Sequence, residues 1–178
     1  MTTGTRVMIR ISKSSVYNTF ANKVVEFLKQ DLKEKFPIKG KTKTDVVAFS
    51  VAPPSSPRSN FWTTGSLHRD GGMDDKDPFY LSVMVFMDDV TELNGSIKFY
   101  QNSVESPINK KNPMRTTSLL KSFSVTGKKG TILVWDTQKL HIGNPNKSKE
   151  YRTVMVFAVH SNNISLSQSQ YLTFEHEI

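Results

Sequence analysis

The sequence predicts a mainly β protein with a flanking helix, in which short strands form a sandwich or barrel. Two observations support this fold class. One apolar stripe of helical period occurs near the amino terminus, and beyond residue 44 short β-rich runs alternate with turn residues. The length of 178 residues corresponds to a single domain spanning residues 1–178.

The helical flank is predicted over residues 14–36. Ser14 or Ser15 can cap its start, and Pro37 ends it. Apolar residues recur within it at spacings of three to four, so we expect one stripe that packs on the sheet. This stripe consists of Val16, Phe20, Val24, Phe27, Leu28, Leu32 and Phe36.

The β core is predicted over about residues 44–160, with a carboxy-terminal tail over 161–178. The predicted strands are 45–52, 79–87, 96–101, 119–126, 131–135 and 153–160. Two turn signals are typical of hairpins: Asn94-Gly95, which precedes the third of these strands, and Gly127–Gly130, between the fourth and the fifth.

Composition excludes several classes of site and location. Cysteine is absent, which excludes disulfides, thiolate metal sites and thiol nucleophiles. No apolar run approaches the roughly 18 residues of a membrane span, and residues 1–10 lack the apolar stretch of a secretory signal. We therefore expect a soluble, cytoplasmic protein that does not enter a membrane.

The formal net charge is +8, with basic residues concentrated before residue 44 and after residue 105. Such a field can attract an anionic substrate or a nucleic acid, although solvated lysines that keep a small protein soluble are the favoured explanation. The basic residues of the later loops are Lys110, Lys111, Arg115, Lys128, Lys129, Lys147 and Lys149.

The strongest chemical signal is His68 followed two residues later by Asp70. In an extended segment these side chains lie on the same face, about 7 Å apart along the chain, and can take adjacent positions on one metal ion. His141, which ends the strand-like run 134–136 and enters a turn, is the best candidate for a third ligand. Two imidazoles and one carboxylate form the facial arrangement typical of non-haem Fe(II).

Arg152 strengthens this interpretation. It stands eleven residues after His141, at the start of the apolar strand 153–160. A guanidinium that begins a buried strand requires an anionic partner, and its planar fork matches a carboxylate.

The order of these motifs resembles the phytanoyl-CoA dioxygenase-like (PhyH) family of Fe(II)/2-oxoglutarate-dependent oxygenases, over roughly residues 44–160. The matching tracts are Leu67–Gly72, Asp88–Gly95 leading into Ser96–Ser103, Gly130–Asp136, Leu140-His141, Asn144–Asn146 and Arg152.

The resemblance implies a double-stranded β-helix (a jelly-roll, cupin-like barrel) that uses Fe(II), 2-oxoglutarate and O2. It implies that His68, Asp70 and His141 bind the metal and that Arg152 binds the distal carboxylate of 2-oxoglutarate. The implied reaction is hydroxylation of a C–H bond of a small-molecule or anionic substrate, with release of succinate and CO2.

The sequence departs from the family at two positions near the co-substrate, where Met84 and Gly143 replace a Trp and a Ser found in some members. Tyr80 or Ser82 could supply the lost hydrogen bond to 2-oxoglutarate, and Trp62 could form a wall of the substrate site; plain packing explains each residue as well. Two other functions stay open, namely a catalytically silent jelly-roll binding module and a cupin-like metalloenzyme that does not use 2-oxoglutarate.

Overall fold

The computed structural model describes residues 7–10, 16–35, 42–54, 67–70, 80–101 and 120–161, and these contain one helix and eight strands. The elements are β1 (Val7–Arg10), α1 (Val16–Lys35), β2 (Thr42–Ala52), β3 (Tyr80–Phe86), β4 (Ile97–Tyr100), β5 (Ser122–Val125), β6 (Ile132–Asp136), β7 (His141–Gly143) and β8 (Arg152–Ser161). The predicted helix and the six predicted strands correspond to α1 and to β2–β6 and β8. The sequence did not predict β1 and β7, which have only four and three residues and so carry no readable period.

The strands form two antiparallel sheets. One has five strands in the order β1-β2-β8-β3-β6, and the other has three in the order β5-β4-β7. An isolated bridge between His68 and His141 extends the smaller sheet beside β7. From β3 onward the chain crosses between the sheets after β3, β5, β6 and β7. This alternation is the predicted double-stranded β-helix.

Neither of the two predicted hairpins forms among the described residues. β3 pairs with β6 and β8, whereas β4 pairs with β5 and β7, so the Asn94-Gly95 turn connects the two sheets. The Gly127–Gly130 turn likewise leads from β5 in one sheet to β6 in the other. Gly95 has a φ of 98°, and a Cβ atom there would lie 3.1 Å from the carbonyl oxygen of Asn144. The local turn chemistry was therefore predicted correctly, but the pairing of the flanking strands was wrong.

The central strands β3 and β8 of the five-stranded sheet carry buried residues on both faces, since their alternate side chains point in opposite directions. The face toward α1 holds the cluster Ala21, Val24, Val25, Leu81, Val83, Val85, Met155, Phe157 and Val159. Between the two sheets lie Phe86, Val90 and Val154 and, next to them, Ile97, Phe99 and Trp135. The space between the sheets is thus the interior of the barrel.

Helix α1 packs on the sheet as predicted, but through a face that is rotated from the predicted stripe and shares only Val24 and Leu28 with it among the described side chains. Its side chains against the sheet are Ala21, Val24, Val25 and Leu28. Three members of the predicted stripe are instead exposed, namely Val16 (72%), Phe20 (42%) and Phe27 (77%). The buried arc contains the small, fully buried Ala21, and these larger side chains lie outside that arc. The side chains of Leu32 and Phe36 lie outside the described residues, and no described helix is long and apolar enough to cross a bilayer.

Candidate metal centre

A backbone bridge brings His68 and His141 together. The N–H of each residue donates to the carbonyl oxygen of the other at 3.0 Å. Residues directly opposite each other in an antiparallel pair project to the same face, and the two imidazole centroids are 4.3 Å apart. The sequence analysis expected His141 to end the strand-like run 134–136. His141 instead begins β7 in the other sheet, after the turn 137–140.

Asp70 completes the cluster in the way that the His-x-Asp spacing predicts. Its Oδ1 lies 3.4 Å from Nε2 of His68 and 3.5 Å from Nε2 of His141. The three candidate ligand atoms lie within 4.8 Å of one another. We refer to these three residues as the His-Asp-His cluster.

The turn 137–140 positions the cluster through three consecutive carbonyl groups. The carbonyl of Thr137 accepts from the Asp70 backbone N–H at 3.0 Å, and that of Gln138 accepts from Nε of Arg69 at 2.8 Å. The carbonyl of Lys139 lies 2.9 Å from Nδ1 of His141. A carbonyl can only accept, so Nδ1 carries a hydrogen, and Nε2 is the ring nitrogen that faces Asp70.

The second carboxylate oxygen of Asp70 has separate partners. Its Oδ2 accepts from the Ser82 hydroxyl at 2.5 Å and from Nε1 of Trp135 at 3.2 Å. Burial alone would raise the pKa of this carboxyl, but the hydrogen bond to His68, the charges of His141 and His68, and the Ser82 hydroxyl outweigh it. Together they lower the pKa of Asp70 from 3.8 to about 2, so the group is a carboxylate at neutral pH.

Aromatic rings surround the buried side of the cluster. The centroids of Phe99 and Trp135 each lie 5.6 Å from that of His141, and they lie 5.6 Å from one another. Phe123 stacks on Phe99 at 5.9 Å and is half exposed. These rings exclude water from the inner side of the cluster, which strengthens the electrostatic interactions of the carboxylate.

Arg152 is the first residue of β8 and lies opposite Ala52 of β2. It is only 3% exposed, and alternation along β8 places it on the face of Val154, which lies between the sheets. The buried Asn146 amide donates to the carbonyls of Ala52 and Glu150, at 2.8 and 2.7 Å, and so fixes the chain where β8 begins. The predicted carboxylate-binding residue therefore lies on the interior side of the barrel.

The structure describes the side chain of only one of the other predicted site residues. Ser82 contacts the cluster itself, through Asp70. Tyr80 is described only as the first residue of β3, and its side chain lies outside the described part of the chain; Trp62 lies outside it entirely. Their predicted roles stay predictions.

The sequence analysis missed Trp135 and the turn 137–140. Trp135 occupies a position of an ordinary β-strand pattern, and nothing in that pattern distinguishes an indole that donates to Asp70 from one that is simply packed. The turn acts through backbone carbonyls, which no residue type reveals.

The donor set suits a first-row divalent metal. Two imidazole nitrogens and one carboxylate oxygen, converging from one side, match the facial site of non-haem iron proteins and leave three octahedral positions open.

A family model described as phytanoyl-CoA dioxygenase (PhyH) matches residues 14–154, which include the whole His-Asp-His cluster and Arg152. The chain belongs to this family. The predicted resemblance is confirmed, and the predicted Fe(II), 2-oxoglutarate and O2 are the cofactors of the family. Membership places the protein among 2-oxoglutarate-dependent enzymes.

Solved structures of low sequence identity share the fold. HygX from Streptomyces hygroscopicus, with nickel and 2-oxoglutarate bound, is 10% identical at a TM-score of 0.70, over 90% of this chain and 71% of HygX. EvdO2 from Micromonospora carbonacea var. aurantiaca, complexed with 2-oxoglutarate, is 13% identical at a TM-score of 0.63, over 93% and 71%. EvdMO1 is 16% identical at a TM-score of 0.67 over 88% of this chain, which spans only 36% of EvdMO1. A search of the curated proteins found no match.

Proposed function

We propose that this protein is an Fe(II)- and 2-oxoglutarate-dependent hydroxylase of a small-molecule substrate, acting as a single domain over residues 1–178. The observation that supports it most is the convergence of His68, Asp70 and His141, whose candidate ligand atoms lie within 4.8 Å of one another. We also propose a cytoplasmic location, as expected from the sequence.

The His-Asp-His cluster would hold the iron through Nε2 of each histidine and Oδ1 of Asp70. The turn 137–140 fixes the orientation of these groups before a metal arrives, because its carbonyls accept from the Asp70 backbone N–H and from Nδ1 of His141. Bound iron with 2-oxoglutarate supplies O2-dependent oxidation of a C–H bond, with release of succinate and CO2.

Arg152 would bind the distal carboxylate of 2-oxoglutarate. Its burial on the interior face of β8 supports this role, since a guanidinium in a water-poor interior forms strong, bidentate hydrogen bonds with a carboxylate. Tyr80, on the first position of β3, is proposed as a further hydrogen-bond donor to the co-substrate, and Trp62 as part of the substrate wall.

The distribution of charge favours a small molecule over a nucleic acid. The described basic residues of the late loops are Lys128, Lys129, Lys147 and Lys149. They lie on the turns 126–131 and 144–151, at the strand ends away from the cluster, while Lys110, Lys111 and Arg115 lie outside the described residues. If turnover of anionic substrates is nonetheless steered by charge, it will fall between low and physiological ionic strength.

Anaerobic addition of Fe(II) and 2-oxoglutarate tests the proposal. We expect a visible charge-transfer band in the wild type that is absent in His141→Ala, retained in the exposed control Lys147→Ala, and shifted to much higher 2-oxoglutarate concentration in Arg152→Met. Aerobic incubation with a metabolite panel should then give succinate together with a hydroxylated product.

Three outcomes contradict the proposal. Metal binding that is indifferent to 2-oxoglutarate indicates a cupin-like metalloenzyme, and no metal binding at all indicates a silent binding module. Succinate release with a product that gains no oxygen atom overturns hydroxylation alone, and points to desaturation or another oxidative rearrangement by the same class of enzyme.

A further inference from the structure

The two carboxylate oxygens of Asp70 are in different environments. Oδ1 faces Nε2 of both histidines of the cluster, whereas Oδ2 accepts two hydrogen bonds, from Ser82 at 2.5 Å and from Trp135 at 3.2 Å. The Asp70 side chain is 8% exposed, so few competing donors from solvent reach it. One oxygen is directed at the predicted metal position, and the other is held by the protein.

The two donors are adjacent because of the strand register. Ser82 of β3 and Trp135 of β6 are direct Cα partners in the five-stranded sheet, and each is 8% exposed. Facing pairs in a sheet project to the same side, so the hydroxyl and the indole N–H approach one carboxylate oxygen together. A shift of β6 by one residue against β3 would turn Trp135 away from the barrel interior and separate the two donors.

We propose that Ser82 and Trp135 are positioning residues that restrict Asp70 to one oxygen toward the metal, an inference that rests on the proposed function. With Oδ2 engaged by two donors, the carboxylate cannot turn to offer both oxygens to the ion. A carboxylate bound through both oxygens would take four octahedral positions together with the two histidines. One-oxygen binding leaves three, which are needed for the two donor atoms of 2-oxoglutarate and for O2.

This role differs from the one predicted for Ser82 from the sequence. A serine hydroxyl carries a single hydrogen, and here that hydrogen is donated to Asp70. A bond from Ser82 to a carboxylate of 2-oxoglutarate would require the same hydrogen. The short distance is typical of a charge-assisted O–H···O⁻ bond, which the ionised Asp70 sustains.

The test compares Ser82→Ala, Trp135→Phe and the double variant with Ser82→Thr, which keeps a hydroxyl. Leu133→Met is the matched packing control, since Leu133 lies on β6 two residues from Trp135 and packs in the barrel interior. Three quantities are measured without oxygen: the Kd for Co(II), the Kd for 2-oxoglutarate on the Fe(II) protein, and the electron paramagnetic resonance signal when nitric oxide takes the O2 position.

We expect the double variant to bind Co(II) about 10- to 100-fold more weakly, as when an outer-shell partner of a metal ligand is lost. We also expect it to bind 2-oxoglutarate but to lose most of the nitric oxide signal, with Ser82→Thr and Leu133→Met close to wild type. A nitric oxide signal as strong in the double variant as in the wild type overturns the inference, whatever the affinities. So does an effect of Ser82→Ala on the 2-oxoglutarate Kd alone. If wild type and His141→Ala bind Co(II) equally, the proposed function itself fails, and the inference with it.

Discussion

The two ends of the barrel interior are stabilised by different interactions. At the end with the His-Asp-His cluster, hydrogen bonds from the turn 137–140 and from neighbouring side chains hold polar groups inside the protein. At the other end the interior holds the apolar group Phe86, Val90 and Val154 beside the buried Arg152, and outside it lies the exposed ion pair of Asp89 with Lys128, 2.8 Å apart. We call these the cluster end and the apolar end.

The difference between the two ends indicates that one mainly stabilises the fold and the other mainly sets the geometry of the metal site. Burying apolar surface stabilises the fold strongly, whereas buried polar networks contribute little net free energy but specify geometry. Substitutions of the apolar residues at the apolar end should therefore act mainly on the free energy of unfolding, and those at the cluster end mainly on metal affinity.

The largest effect on stability is expected for Phe86→Ala at the apolar end. Phe86 is 1% exposed, and its removal leaves a cavity between the sheets, so the free energy of unfolding should fall by about 3–5 kcal/mol. Urea unfolding measures this change. Co(II) affinity, measured where the variant is still folded, should stay near that of wild type; its loss in folded protein would contradict the separation of the two ends.

The reverse pattern is expected for His68→Ala at the cluster end. The His68 side chain is 37% exposed, so its removal should change the midpoint of thermal unfolding only slightly. Loss of a ligand should weaken metal binding by more than the ~100-fold upper range for outer-shell partners. Calorimetric titration with Co(II) measures this effect, with Lys147→Ala as the surface control. A tenfold change or less would show that His68 is not a ligand.

Acid should destabilise the metal-free protein through the cluster end. The pKa of Asp70 is about 2 in the folded chain, below its ordinary value of 3.8, so the folded state binds fewer protons than the unfolded state. The resulting stabilisation, on the order of 2 kcal/mol, is present above about pH 4 and is lost as the pH falls toward 2. Unfolding of wild type and Asp70→Asn at several pH values tests this, since the variant should lose less stability over that window.

The smallest effect is expected for Asp89→Asn, at the surface of the apolar end. The Lys128 hydrogen bond, followed by that from the Lys129 backbone, lowers the pKa of Asp89, but the ion pair is exposed and screened by salt. We expect a small decrease in the midpoint of thermal unfolding that disappears at high salt, with no change in Co(II) affinity. A decrease that persists at high salt would assign Asp89 a structural role beyond the ion pair.

The elements that the sequence predicted well are those that depend on local pattern. The period of three to four residues located α1, and β-rich runs located six strands. The two-residue spacing of His68 and Asp70 correctly placed both side chains on one face, because alternation in an extended chain is a local property. The motif order also identified the family, which the match over residues 14–154 confirmed.

The rotation of α1 was the first feature that local pattern could not supply. Apolar periodicity marks a wide arc of the helix, but contact with the sheet selects the arc that contains Ala21, and Phe20 and Phe27 lie outside it. Turn chemistry was ambiguous in the same way, because a tight turn can join neighbouring strands or cross between sheets.

By itself, the sequence determined which segments form helix and strand, which chemical groups are available and which family the chain belongs to. Tertiary structure alone decided that His141 meets His68 across a bridge and that Ser82 and Trp135 converge on one oxygen of Asp70. Residues 70 and 135 come together only through the pairing of strands far apart in the chain. That pairing is selected by burial of the whole interior, and no short stretch of sequence contains it.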